Sequence, residues 1–180
     1  QKYVETWCEK AVAISQITKK YDINLFAGGG YRSGSSLHKA AERFKYTGKP
    51  GVILYLGDFD PSGLDIERDI ETRMKEIFDI EIDVQRVLLT RQDIIDYELL
   101  PSPVKSTDTR TSGYIEKNDL EDAYELDALL PDVLAEKLEE AIRRNIDIEL
   151  YETQLKKWEE DDAKIAKFIK AWNKQMSHLD

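Results

Sequence analysis

The stretch Val52-Ile53-Leu54-Tyr55-Leu56-Gly57 is apolar and β-prone, and it runs straight into Asp58-Phe59-Asp60-Pro61-Ser62-Gly63. A helical pattern begins at once after that. An uninterrupted apolar strand of this kind is buried on both faces, as in a parallel sheet covered by helices. Residues i and i+2 of a strand point the same way. Asp58 and Asp60 are thereby placed to present two carboxylates from the carboxyl end of a buried strand, where open α/β sheets carry their sites. Two hard oxygen ligands aimed at one point suit Mg²⁺, which takes one or two protein carboxylates and completes its shell with water and phosphate oxygens. The same residues have a purely structural reading, in which Asp58 caps the next helix and Asp60 starts a turn.

A second acid stands at the end of another strand. Tyr3-Val4-Glu5-Thr6-Trp7-Cys8 reads as a short strand, followed by Glu9-Lys10 and by a helical pattern from Ala11 to Lys20 with Val12, Ile14 and Ile17 on its apolar side. A Glu and an Asp-x-Asp thus both sit at strand-to-helix junctions, which share one edge of a parallel sheet.

Cys8-Glu9-Lys10-Ala11-Val12, together with the apolar strand and Asp58-x-Asp60-Pro61-x-Gly63, resembles the Toprim domain. The version it most resembles is that of the topoisomerase VI A subunit and its relatives. Ala11 departs from that pattern, which often has Asp there. The resemblance covers roughly residues 3 to 90. It implies a Rossmann-like parallel sheet and makes Glu9, Asp58 and Asp60 an acidic triad for Mg²⁺ or Mn²⁺. It further implies phosphodiester chemistry on nucleic acid, with DNA the expected partner and RNA left open, and a partner domain or ATPase subunit. Lys10, directly after Glu9, is placed to neutralise a phosphate or a leaving oxygen as a catalytic neighbour of the acids. Relatives of topoisomerase VI attack DNA with a tyrosine on a separate winged-helix domain, and no segment here reads as that domain. Gly29-Gly30-Tyr31-Arg32-Ser33, Arg86-Val87-Leu88-Leu89-Thr90, Leu100-Pro101-Ser102-Pro103-Val104-Lys105, Thr107-Asp108-Thr109-Arg110 and Glu125-Leu126-Asp127-Ala128-Leu129 also resemble a narrower group of uncharacterised bacterial and phage Toprim proteins.

The rest of the chain organises around this half. Ile23 to Ala27 reads as a second strand, Ser35 to Phe44 as a helix capped by Ser33 or Ser35, Ser62 to Phe78 as a helix, and Glu81 to Leu88 as a less buried strand. The expectation is an α/β fold, with about four parallel strands, helices on both faces and a C-terminal helical extension. Gly28 to Gly34 precedes a helix and offers backbone N–H groups to a phosphate, with Arg32 and Ser33 as donors. It matches neither the dinucleotide fingerprint nor the P-loop. Thr90 is placed to cap a short helix. Pro101 to Gly113 reads as a polar loop that either brings Lys105 and Arg110 to the acidic edge as phosphate clamps or is an ordinary surface connection. The domain boundaries expected are 1–100, 101–130 and 131–180.

From Pro131 the pattern is helical, first to about Asn145 and then from about Ile148 to Lys174. Leu150, Leu155, Trp158, Ile165, Phe168, Ile169 and Trp172 form an apolar stripe that packs on the domain or on a partner chain, as in a homodimer. The net charge of −10 argues against a dedicated non-specific DNA binder. That charge is uneven: 18 acids and 10 bases lie from Glu116 onward, so the first 115 residues carry only about −2. One cysteine rules out an internal disulfide framework, and His38 and His178 lack metal-ligand spacing. No apolar run approaches a membrane span, and a cytoplasmic location is expected. The chain enters a strand almost at once after Gln1 and is expected to be part of a longer protein. The competing function is a non-catalytic Toprim module that binds a partner within a larger DNA-processing complex.

Overall fold

A computed structural model describes residues 1–9, 14–28, 32–104 and 108–176. Its centre is a parallel sheet of four strands, β1 (Tyr3–Cys8), β2 (Asn24–Ala27), β3 (Gly51–Leu56) and β4 (Ile82–Leu88), in the order β2-β1-β3-β4. The connections are α1 (Ser15–Lys20), α2 (Gly34–Thr47) and α3 (Pro61–Phe78). The fold is therefore α/β and Rossmann-like, as the strand–helix alternation predicts. Every residue of β3 is buried, which explains why its sequence is apolar without alternation.

Two layers of helix cover the sheet. Trp7, Ile53, Tyr55 and Val84 share a core with Leu37, Ala40, Ala41 and Phe44 of α2 and Ile66, Ile70 and Met74 of α3. Val4, Thr6, Val52, Leu54 and Leu56 alternate with them and point to the opposite face. There α6 (Pro131–Asn145) packs on β3 and β4 and meets α1. Among the described residues, Glu5 is the one carboxylate buried in the sheet. It is paired bidentately with Arg43 at 2.7 and 3.0 Å and accepts a further hydrogen bond from Trp7 Nε1 at 2.9 Å. A buried charge held this way keeps its lone pairs satisfied.

The helix ends follow their local chemistry. Ser33 caps α2 by accepting from the Ser36 amide at 3.2 Å, and Gly48 closes it in the left-handed region at φ 60°. Thr90 caps α4 (Arg91–Asp96) in a reciprocal capping box with Asp93.

Two expectations need correction. The stretch 101–130, expected as a polar loop to Gly113 and then a connection, carries regular elements of its own. β5 (Ser102–Pro103) pairs antiparallel with β6 (Asp122–Ala123), and α5 (Thr111–Asn118) lies between them. Tyr114 of α5 is buried with its ring edge-on to Phe59 at 6.0 Å, and Arg91 donates to the Asn118 carbonyl at the other end of the helix at 2.8 Å. The division of the chain also falls later than 130. A compact unit spans Gln1–Asn145 and a second unit spans Ile146–Asp180. Leu138, Ala141 and Ile142 of α6 are buried, so this helix belongs to the first unit.

The second unit is one long helix, α7 (Ile148–Met176). Among the described residues no helix is long and apolar enough to cross a membrane.

Candidate functional site

The strand order sets where a site can lie. From β1 the chain goes through α1 to β2 on one side. It then returns past β1 to β3 and goes through α3 to β4 on the other side. The carboxyl ends of β1 and β3 are therefore a topological switch point, where the two outgoing connections diverge and leave a crevice. Glu9 follows β1 and Asp58 and Asp60 follow β3, so the three expected acids stand on the two sides of that crevice. Cys8 and Leu56 are register partners, and the Glu9 amide donates to the Leu56 carbonyl at 3.1 Å.

The acids sense one another. Burial, and then the negative charges of Asp58 and Asp60, hold the Glu9 carboxyl above the ordinary carboxylate range. The hydrogen bond from Tyr55 and the positive charge of Arg86 pull it back. Tyr55 donates its hydroxyl to Glu9 Oε1, and its own ionisation is pushed far above the usual tyrosine range by burial and by the Glu9 charge. Gly57 sits directly beneath this pair. A Cβ there would lie 2.6 Å from the Tyr55 hydroxyl and closer still to Glu9 Oε1, so the glycine makes room for the two groups to meet.

Each aspartate also has a local task. Asp60 is the N-cap of α3, and its Oδ1 accepts from the Gly63 amide at 2.6 Å and from Ser62 Oγ at 2.9 Å. Pro61 occupies the first helical turn, where its missing N–H is harmless. The structural reading of the motif thus holds in part, with Asp60 rather than Asp58 as the cap. Asp58 Oδ1 accepts from the Leu126 amide at 2.7 Å. Phe59, between them, exchanges two backbone hydrogen bonds with Tyr124 at 2.8 and 3.0 Å. Among the described residues, Tyr124 and Leu126 thus reach back to the acidic edge.

Arg86 organises the same loop from below. Its side chain is only 10% exposed and is paired with Glu67 at 2.7 Å. Its guanidinium donates to the carbonyls of Gly57 and Asp58 at 3.3 Å, Leu89 at 3.2 Å and Gly63 at 2.9 Å. It also lies over the Tyr55 ring at 5.1 Å. Five N–H donors in one planar fork let a single arginine hold several carbonyls at once. The sequence alone assigns Tyr55, Arg86 and Leu126 no role in holding the acids. The only signal for the first two is register, since Tyr55 and Arg86 are directly paired across β3 and β4.

The expected phosphate donors are distributed differently. Arg32 stands over the Trp7 ring at 5.1 Å and donates to the Phe26 carbonyl at 3.2 Å. Burial lowers its pKa, and the neighbouring Tyr55, Cys8 and Glu9 oppose this. Ser33 is engaged as a helix cap. Arg110 is held by Asp108 at 2.7 Å, with Asp65 at 3.6 Å. Lys10 and Lys105 lie outside the described residues.

The donor set is all hard oxygen, which fits Mg²⁺ or Mn²⁺ better than a thiophilic metal. Among the described residues, no three acidic, histidine or cysteine side chains are already arranged to ligate one ion. The fit is therefore to an ion that takes one or two carboxylates directly and keeps water in the rest of its shell. Tyr114, which packs edge-on against Phe59, donates its hydroxyl to the Asp122 carbonyl at 2.7 Å. Its pKa is pushed up to about 12 by burial and then by the charge of Asp60. No family model matches the chain, and no curated protein matches it.

Proposed function

We propose that this chain is a Toprim-like domain for Mg²⁺- or Mn²⁺-dependent phosphodiester chemistry on nucleic acid, with DNA as the substrate class. The observation that supports this reading is the meeting of Glu9 with the Asp58–Asp60 loop at the switch point of the sheet. There Glu9 is held above its ordinary range by burial and by two like charges. A cluster of carboxylates that repel one another gains from a cation. Asp58 and Asp60 are the residues that would hold the metal, with Glu9 completing the set directly or through water. When bound, such an ion polarises a phosphoryl oxygen and offsets charge on the reacting oxygens. The chain's own part is positional. Arg86 and the Gly63 contact keep the aspartate loop in place, and Tyr55 fixes the Glu9 carboxyl. A carboxyl with a raised pKa is suited to hold and release a proton at Oε1 or Oε2. Arg32 supplies positive charge beside it, and Lys10, Lys105 and Arg110 are further candidates for phosphate contact. Because the net charge is −10, nucleic-acid binding is expected to be weak and to fall as salt rises.

A second reading is carried by the hydrogen bonds of the aspartates. Asp60 caps α3 and Asp58 holds the Leu126 amide, and these are the tasks the two residues would have in a non-catalytic module that docks a partner. Glu9 separates the readings, since among the described residues its side chain accepts from Tyr55 and not from a helix end. Calorimetry with Mn²⁺ and Mg²⁺ on wild type and Glu9→Gln, with nicking of supercoiled DNA in parallel, is the test. The enzymatic reading expects metal binding that weakens about tenfold or more in the variant and metal-dependent nicking that the variant loses. Equal metal affinity in both proteins, with no nicking at low salt, would overturn it in favour of the partner-binding module.

A further inference from the structure

The observation concerns α7 and is independent of the acidic site. This helix is 29 residues long, or about 43 Å at 1.5 Å per residue. Leu155, Trp158, Ile165, Ile169 and Trp172 recur along it at alternating spacings of three and four, with Asp162 filling the one polar position between Trp158 and Ile165. Extended back through Ile148 and Tyr151, the repeat covers about four heptads, enough for a coiled-coil seam. The five apolar residues of the stripe are exposed, as is Phe168 beside it, and Trp158 is 68% exposed. Phe168 and Trp172 stack on each other with ring centroids 6.4 Å apart, which gathers the aromatic surface on one side. An exposed apolar stripe of this length marks a surface that associates.

The charge along α7 selects the occupant. From Ile148 to Asp162 the helix has six acids and two lysines. From Ala163 to Met176 it has four lysines and no acid. One end is strongly negative and the other is positive in equal measure. A second copy laid parallel would stack acid on acid and lysine on lysine along the whole seam. A second copy laid antiparallel sets each acidic half against a basic half and brings the apolar stripes together. Complementary charge beside an apolar seam fixes orientation in helical pairs, and a single polar residue within the seam fixes register.

We propose that α7 is a self-association element that pairs antiparallel with α7 of a second copy of this chain. In that pairing Leu155 of one copy lies level with Trp172 of the other, and Trp158 lies level with Ile169. Asp162 lies near the centre and sets the register.

Sedimentation of the full chain over a range of concentrations, combined with cysteine cross-linking, tests this. The wild type is expected to be a dimer. Ile165→Asp with Ile169→Asp should weaken association at least tenfold. Because that variant disturbs the helix itself, Lys164→Glu with Lys167→Glu and Lys170→Glu provides a second arm. It leaves the apolar stripe intact and should also weaken association at least tenfold at low salt, with the difference shrinking as salt rises. Orientation is read by mixing Leu155→Cys chains with Trp172→Cys chains under oxidation. The native Cys8 is buried and does not interfere. Disulfides between unlike chains support the antiparallel pair. Disulfides only between like chains, a monomer at every concentration, or association unchanged by the lysine reversal would overturn the proposal. Binding of α7 to vesicles or to another protein while the chain remains a monomer would also overturn it.

Discussion

Tyr55, in the middle strand, donates its hydroxyl to Glu9 at the end of the neighbouring strand, directly above a glycine that leaves space for the bond. The bond crosses the crevice of the switch point and ties the two acidic loops' strands together. It also sets up a conflict, because Glu9 is partly buried among like charges yet keeps one good donor.

The first prediction follows from that conflict. The pKa of Glu9 is raised in the folded state by burial and by Asp58 and Asp60. For a carboxyl raised on folding, the associated stability is fully present below its unfolded pKa and is lost as pH rises through the folded one. Glu9→Gln should therefore melt higher than wild type at neutral pH in chelator. The gap should close as pH falls below the ordinary carboxylate range. A variant that melts lower at neutral pH would show that the charge is instead needed for the fold. Metal should raise the melting temperature of wild type more than that of the variant, since a ligand stabilises only by binding the native state.

Arg86 should be among the most costly residues to remove. It pairs with Glu67 and serves four backbone carbonyls while only 10% exposed. Arg86→Ala should cost about 3–5 kcal/mol, the range for breaking a buried ion pair. Arg86→Lys should recover little of this, because an ammonium cannot span the same set of acceptors. Urea unfolding measures both, and the midpoint should fall without a change in slope.

Gly63 is a test of close approach. In an open helix Gly→Ala gains up to about 1 kcal/mol. Here a Cβ would strike the Asp58 carbonyl and lie 3.2 Å from Asp60 Oδ1. Gly63→Ala should instead destabilise by about 1–3 kcal/mol, as overpacking does, and should weaken metal binding by moving the aspartate loop. Thermal melts with and without Mn²⁺ separate the two effects.

Tyr114 supplies a prediction at high pH. Its pKa is raised from the ordinary tyrosine value of 10.0 to about 12, chiefly by burial and then by the charge of Asp60. The stability this implies is complete below pH 10 and is lost as pH rises through 12. Difference absorbance between wild type and Tyr114→Phe should reveal a tyrosine that ionises near pH 12 rather than with the exposed ones. Below pH 10 the variant should be less stable by about 1 kcal/mol, the worth of its hydrogen bond to the Asp122 carbonyl.

Much of this architecture is written locally. The apolar run 52–56 specifies a strand buried on both faces, Pro61 and Gly63 specify a helix start, and the alternation of strand and helix specifies a parallel sheet. Those features are legible because they depend on residues near one another in the chain. The meeting of Glu9 with Asp58 and Asp60 follows from the same alternation, since junctions after parallel strands share an edge. Only the strand order β2-β1-β3-β4 makes that edge a crevice, by sending the connections from β1 and β3 opposite ways. The roles of Tyr55, Arg86 and Leu126 required the tertiary structure outright. Tyr55 and Arg86 became neighbours through strand register, and Leu126 reached Asp58 across 68 residues through a ladder too short to leave a pattern. The place of α6 was decided in the same way. Its amphipathic face alone matches that of a free helix, and it was the uncovered second face of the sheet that drew Leu138, Ala141 and Ile142 into the core.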